Sequence, residues 1–171
     1  MTGSNDTLLQ SVWAAAIGPA LALMQPRFYT PNAVHLLLAI GLQESGLCER
    51  CQIIDGGGKG PARGLWQFER GGGVVGVLTH PLTRTHAWDV CRERGVAATS
   101  QDVWARLESD DVLAAAFARL LLWTDGKPLP ERNDADGGWA LYAKRLWRPG
   151  KPHPERWPAN FARAGRFVYG S

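Results

Sequence analysis

A chain of 171 residues fits one domain, taken here as residues 1–171, and can bury a core without disulfides. Its 45% hydrophobic and 20% charged residues are ordinary for a soluble globular protein, and no apolar run is long enough to span a bilayer. The net charge of +3 suits an anionic partner surface but is too small to choose among nucleic acid, membrane and bacterial wall.

The first predicted helix covers residues 6 to about 24. Its apolar stretch Val12 to Met24 is not a signal segment, because Asp6 rather than a cation precedes it and Pro19 interrupts it. Thr30-Pro31 reads as an N-cap followed by proline at the first helical position. The helix that follows, 31 to about 45, carries Val34, Leu37, Leu38 and Gly41 on one apolar stripe. Residues 46 to 64 read as loop, with Ile53-Ile54 starting a short strand, and Gly71-Gly72-Gly73 reads as a hinge. Helices are predicted at 82–94, 101–108 and 110–124. The last has Leu113, Ala116, Phe117 and Leu120 on a core stripe, with Ser109 or Asp110 as its cap. A polar loop, 127–136, precedes a helix from Trp139 to Trp147. Prolines at 149, 152, 154 and 158 then defer regular structure to a short final helix. The fold class is mainly α (α+β), with a small β or irregular wing after the second long helix.

Glu44 is the most informative residue. It follows Leu37 by seven positions and Gly41 by three, so it extends the apolar stripe. A carboxyl buried against hydrocarbon holds its proton near neutral pH, as a general acid requires. The alternative is a solvated carboxylate at a helix end. Gly41, one turn earlier, leaves room for a substrate or another backbone to come close. Eight Trp residues exceed the core's needs and suit a ligand with flat apolar faces, either pyranose rings or nucleobases.

Glu44-Ser45-Gly46 followed by Gly64-Leu65-Trp66-Gln67-Phe68 resembles the paired motifs of soluble lytic transglycosylases and goose-type lysozymes, in the lysozyme-like superfamily. The resemblance implies a two-lobed fold whose cleft binds peptidoglycan glycan strands and cuts the β-1,4 bond between N-acetylmuramate and N-acetylglucosamine. It puts Glu44 on the catalytic glutamate, Ser45 on the serine beside it and Gln67 on a cleft-lining glutamine. Trp66 stands where the family has Met, and with Ser45, Gln67, Tyr142 and Trp147 it is an expected substrate-binding residue. Tyr142 takes a plausible place for the third family motif, although no Asn adjoins it; a core tyrosine is the alternative.

In the transglycosylase pattern one glutamate is acid and then base, and a 1,6-anhydro sugar forms without water. An inverting hydrolase needs a second carboxylate. Glu69, which matches an aspartate of some goose-type lysozymes, and Asp55 in the glycine-rich loop are the candidates. Solvated loop carboxylates are the alternative for both. Ile53 stands where the phage T4-type pattern would put its aspartate. Transglycosylation is the favoured expectation, with goose-type muramidase second.

The segment Tyr142 to Trp157 mixes aromatics with Lys144, Arg145, Arg148, Lys151 and Arg156. Trp147 and its neighbours could stack on sugars while the cations meet lactyl or peptide carboxylates. A proline-rich tail packed on the domain is the competing account. Cys48-x-x-Cys51 invites a metal reading, with Cys91, His80 and His86 completing the set, but one such pair without a second does not support it. Free buried thiols or a single disulfide remain open. His35 reads as a satisfied surface or core residue.

No cofactor and no metal are expected. The expected partners are glycan strands and, for a virion-borne form, other virion proteins, with neither nucleic acid nor membrane; the expected state is monomeric. A wall-degrading chain without an export signal suggests a bacteriophage product, either virion-associated or held in the host cytoplasm until release. A non-catalytic glycan-binding or virion structural protein, and a nucleic-acid binder using the basic tail, are the rival classes.

Overall fold

The computed structural model describes residues 6–170, which are mainly helical with one small antiparallel sheet. Helix α1 (Thr7–Val12) starts at Asp6, whose side chain accepts from the Leu9 N–H at 3.2 Å and pairs with Arg163 Nε at 2.7 Å. The helical path continues through a π-helical stretch (Trp13–Ile17) into α2 (Gly18–Ala22). The path follows the expected helix over 6 to about 24, with Pro19 inside it. Proline lacks an N–H and crowds the preceding turn, and the wider π turn just upstream, closed by Gly18 N–H to Trp13 C=O, accommodates it.

Helix α3 (Pro31–Ser45) begins as the sequence indicates. Thr30 Oγ1 accepts from the Ala33 N–H at 3.1 Å, and Pro31 occupies the first turn, where a missing N–H costs nothing. It ends at Gly46, in the left-handed region at φ 62°. There the Gly46 and Leu47 N–H groups donate to Leu42 and Gly41 C=O and close the helix. Every residue from Ala33 to Gln43 is buried, so α3 is a central helix enclosed on all sides rather than a surface helix with one apolar face.

Strands β1 (Cys51–Ile53), β2 (Lys59–Arg63) and β3 (Phe68–Glu69) form the wing after α3, in the order β1-β2-β3. Cys51 pairs with Arg63 and Ile53 with Lys59, across a bulge; Arg63 pairs with Phe68. Ile53 lies in β1, while Ile54 lies in the turn. The triple-glycine run, expected to be a hinge, is helical. It sits in a π-helical stretch (Arg70–Val74) that enters α4 (Val75–Thr79). A Cβ on Gly73 would stand 2.7 Å from the Phe68 ring, so close packing accounts for a small residue there.

Helices α5 (Arg84–Glu93), α6 (Ser100–Arg106) and α7 (Asp111–Thr124) follow. Asp110, not Ser109, caps α7 by accepting from the Leu113 N–H at 2.9 Å. Leu113, Ala116, Phe117 and Leu120 are fully buried, as their spacing predicts. Helix α8 (Ala135–Trp139) starts within the stretch expected to be loop and continues as a π-helical segment (Ala140–Leu146). Helix α9 (Trp157–Tyr169) packs along α3, where buried His35 Nε2 donates to Phe161 C=O at 2.8 Å. One contiguous core joins these elements. Among the described residues, no helix is long and apolar enough to cross a membrane.

Candidate active site

Successive residues on a helix diverge by about 100°, so the last turn of α3 sends Gln43, Glu44 and Ser45 to three different tasks. Glu44 faces a cavity of about 690 Å³, a volume suited to a small-molecule or sugar-sized ligand. Burial pushes its carboxyl up to about 7. A hydrogen bond from Tyr142, which favours the ionised form, opposes that rise, and the nearby charge of Glu69 adds to it. Loss of hydration is therefore the dominant influence on this carboxyl.

Tyr142 Oη donates to Glu44 Oε1 at 2.7 Å. The phenol is held by its surroundings: its ring stacks on Trp157 at 5.3 Å between centroids, 6° from parallel, and Trp157 Nε1 is anchored on Ala135 C=O at 2.8 Å. Burial and the adjacent Glu44 push the Tyr142 hydroxyl well above its ordinary range, so it remains a donor. With Oε1 engaged as an acceptor, the carboxyl's proton resides on Oε2.

Ser45 turns away from the cavity. Its hydroxyl donates to Leu65 C=O at 2.6 Å and accepts from the Leu47 N–H at 3.1 Å, tying the helix end to the Gly64–Phe68 strip. Ser45, expected to orient the sugar or the acid, instead ties backbone to backbone. Trp66 requires a larger correction. It is fully buried, and its Nε1 donates to Leu37 C=O at 2.8 Å, so it is a core residue and not a wall of the cavity. Gly41 explains the packing. A Cβ there would stand 2.2 Å from Leu47 Cδ2 and 3.3 Å from Trp66 Nε1, so these side chains, rather than a substrate or another backbone, occupy the space.

Gln67 does line the cavity. Its φ of 50° lies in the left-handed region, which a residue with a side chain adopts at a cost. The turn is secured because both its backbone N–H and its Nε2 donate to Gly64 C=O, each at 2.9 Å. Trp147 also lines the cavity, with Nε1 donating to Trp66 C=O at 3.0 Å and its ring set edgewise to Phe68.

Of the two spare carboxylates, Glu69 is in the cavity wall, while Asp55 sits exposed in the turn between β1 and β2, outside that wall. Arg148, Lys151 and Arg156 line the cavity, so its rim is cationic. Arg145 is instead paired with Asp125 at 2.8 Å, and Trp157 is core. Gln43 had not been singled out. Its Nε2 donates to Pro152 C=O at 2.7 Å and His153 C=O at 2.9 Å, and its Oε1 accepts from Asn160 at 2.9 Å, fastening the basic segment over the cavity. An amide beside the acid was the one available sequence signal, since a polar residue within an apolar helix needs partners.

Cys48, Cys51 and Cys91 are free thiols, so the disulfide alternative is not realised. Cys48 is exposed and Cys51 half-buried; only Cys91 fits the expectation of a buried thiol, and burial pushes it up to about 11. Among the described residues, no cluster of His, Cys, Asp and Glu is arranged to hold a metal ion, and the set of Cys48, Cys51, Cys91, His80 and His86 does not assemble. No family model matches the chain, nor does any curated protein or solved structure.

Proposed function

We propose that this chain is a lysozyme-like lytic transglycosylase that cleaves the β-1,4 bond between N-acetylmuramate and N-acetylglucosamine in peptidoglycan. The observation that carries the reading is a carboxyl titrating at about 7, with one oxygen fixed by a buried tyrosine, inside a cavity shared with Gln67 and Trp147. Near neutral pH, Glu44 Oε2 gives its proton to the glycosidic oxygen as the C1–O bond breaks. The resulting carboxylate keeps the Tyr142 hydrogen bond, which stabilises its charge. It then takes the proton of the muramate C6 hydroxyl as O6 bonds to C1, so Glu44 is reprotonated and no water is consumed. Trp147 offers a flat apolar face to a sugar ring, and the cationic rim suits the lactyl or peptide carboxylates of muramate.

A second reading has a specific observation in its favour. Glu69 lines the same cavity and acts electrostatically on Glu44, so it could activate water, and the enzyme would then be a muramidase of the goose type. One experiment addresses both. Purified peptidoglycan is incubated with the protein or with Glu44→Gln, and the soluble products are weighed by mass spectrometry. The expected result is 1,6-anhydro muropeptides, lighter by one water than hydrolytic products, from the unmodified chain alone. Hydrolytic masses favour the Glu69 reading. Release by both forms or by neither rejects glycan cleavage by Glu44.

A further inference from the structure

A second cavity, about 790 Å³, opens on the other face of α7, where Arg119, Leu122 and Trp123 contribute its wall while Leu121 faces the first cavity. Its chemistry differs from that of the Glu44 cavity. Arg27, Arg119 and Lys127 supply three cations against the single carboxylate of Glu131, and Leu122, Trp123 and Leu129 supply an apolar lining. Among the described residues, none of these three cations lies within ion-pair distance of a carboxylate.

Arg119 is the central observation. It is 2% exposed, its Nε donates to Phe28 C=O at 2.7 Å, and its Nη1 has no hydrogen-bond partner. Burial lowers this guanidinium to about 10, so it still carries its charge at neutral pH. Two arginines grip the same pair of rings: Arg119 lies 5.5 Å from Phe28 and 5.0 Å from Trp123, and Arg27 lies 5.5 Å and 5.7 Å from them. Arg27 Nη2 also donates to His86 Nε2 at 2.9 Å; because a guanidinium only donates, His86 accepts there in its neutral form. His86 thus adds no charge of its own. A buried guanidinium with no carboxylate partner, in the wall of a cavity where cations outnumber carboxylates three to one, favours an anion there, and packing alone would be served by Met or Leu.

We infer that this cavity is a binding site for a small carboxylate with an apolar body, its carboxylate set toward Arg119, Arg27 and Lys127 and its body against Trp123, Leu122 and Leu129. The bound anion completes the charge balance that the protein lacks on its own, and the volume lies in the range of small-molecule sites. The site is independent of the glycan-cleaving reading.

The test is isothermal titration calorimetry of the full chain with 2-naphthoate and with decanoate, each compared with its neutral amide. A flat ring and a flexible chain distinguish the two shapes such an acid can take. The expected result is saturable binding of at least one acid, at least tenfold tighter than its amide. Arg119→Met should abolish that preference while amide binding persists. Should Arg119→Met fail to fold, the exposed pair Arg27→Gln with Lys127→Gln should weaken the acid by about threefold to tenfold and leave the amide unchanged. Equal affinity for acid and amide, binding of neither acid, or an acid affinity unmoved by these variants overturns the site.

Discussion

Two ionisable side chains withdrawn from water, half-buried Glu44 at the end of α3 and buried Arg119 in the middle of α7, answer the loss of hydration in opposite ways. Burial shifts both toward neutrality, the acid up to about 7 and the guanidinium down to about 10. For the acid this reaches the working range of pH, so Glu44 escapes the cost of a buried charge by holding a proton. Arg119 begins too high to escape and remains charged. Desolvation therefore makes a reversible proton donor of one side chain and a fixed positive charge of the other. The first suits chemistry on a bond, and the second suits holding an anion.

The sharpest way to break this comparison is to remove the acid. Glu44→Gln retains an acceptor for Tyr142 but no transferable proton, and release of soluble muropeptides should fall by about 10³-fold or more. Release at the unmodified rate would reduce Glu44 to a structural residue.

Stability offers the next test, because the two sites differ in sign and window. The folded Glu44 titrates at about 7 and an unfolded one near 4.5, so the native state holds more protons between these values and stability falls as pH rises through them. A shift of this size corresponds to about 3 kcal/mol at most. Glu44→Gln should therefore melt above the unmodified chain at pH 8, and that advantage should vanish near pH 4. Arg119→Met should change the melting temperature equally at pH 5 and pH 8, since the guanidinium stays charged throughout. A pH-dependent difference for Arg119→Met, or a pH-independent one for Glu44→Gln, would overturn the contrast.

Two smaller effects sharpen the acid's side of it. Tyr142→Phe removes the hydrogen bond that favours the carboxylate, so the alkaline limb of the pH–rate profile should move up while the rate falls by about tenfold to a hundredfold. Glu69→Gln removes a like charge, so the same limb should move down by a few tenths of a unit, about the size of a partly solvated charge–charge interaction. If transglycosylation is correct, Glu69→Gln keeps most of its activity. Limbs moving the same way in both variants would contradict the assigned causes.

The helix that carries the acid was legible because its signals are local: Thr30 and Pro31 open it, Gly46 closes it, and the apolar stripe leads to Glu44. The core of α7 was legible for the same reason. What escaped depends on how side chains and turns pack, often against distant partners. Nothing in the order of residues says whether Trp66 turns inward or outward, because the Leu37 carbonyl that holds it lies on another element. Three glycines in a row suggest freedom, yet Gly73 is small because the Phe68 ring is near. The helix predicted through Pro19 forms, but the wider π turn that accommodates the proline is not signalled by residue type. Arg119 is one cation in an apolar helix, and its meaning rests on Phe28 and Arg27, brought from far along the chain to meet it and Trp123, its neighbour one turn on. Gln43 is obscure in the same way.

Gln43 nevertheless has a consequence for how this protein can vary. It and Glu44 are consecutive codons, yet one secures the basic arch and the other supplies the acid. A one-residue insertion or deletion in the last turn of α3 would rotate both by about 100° and disable roof and reagent together. Under the glycan-cleaving proposal, new specificities would therefore arise in the arch from Arg148 to Arg156 while the end of α3 keeps its phase.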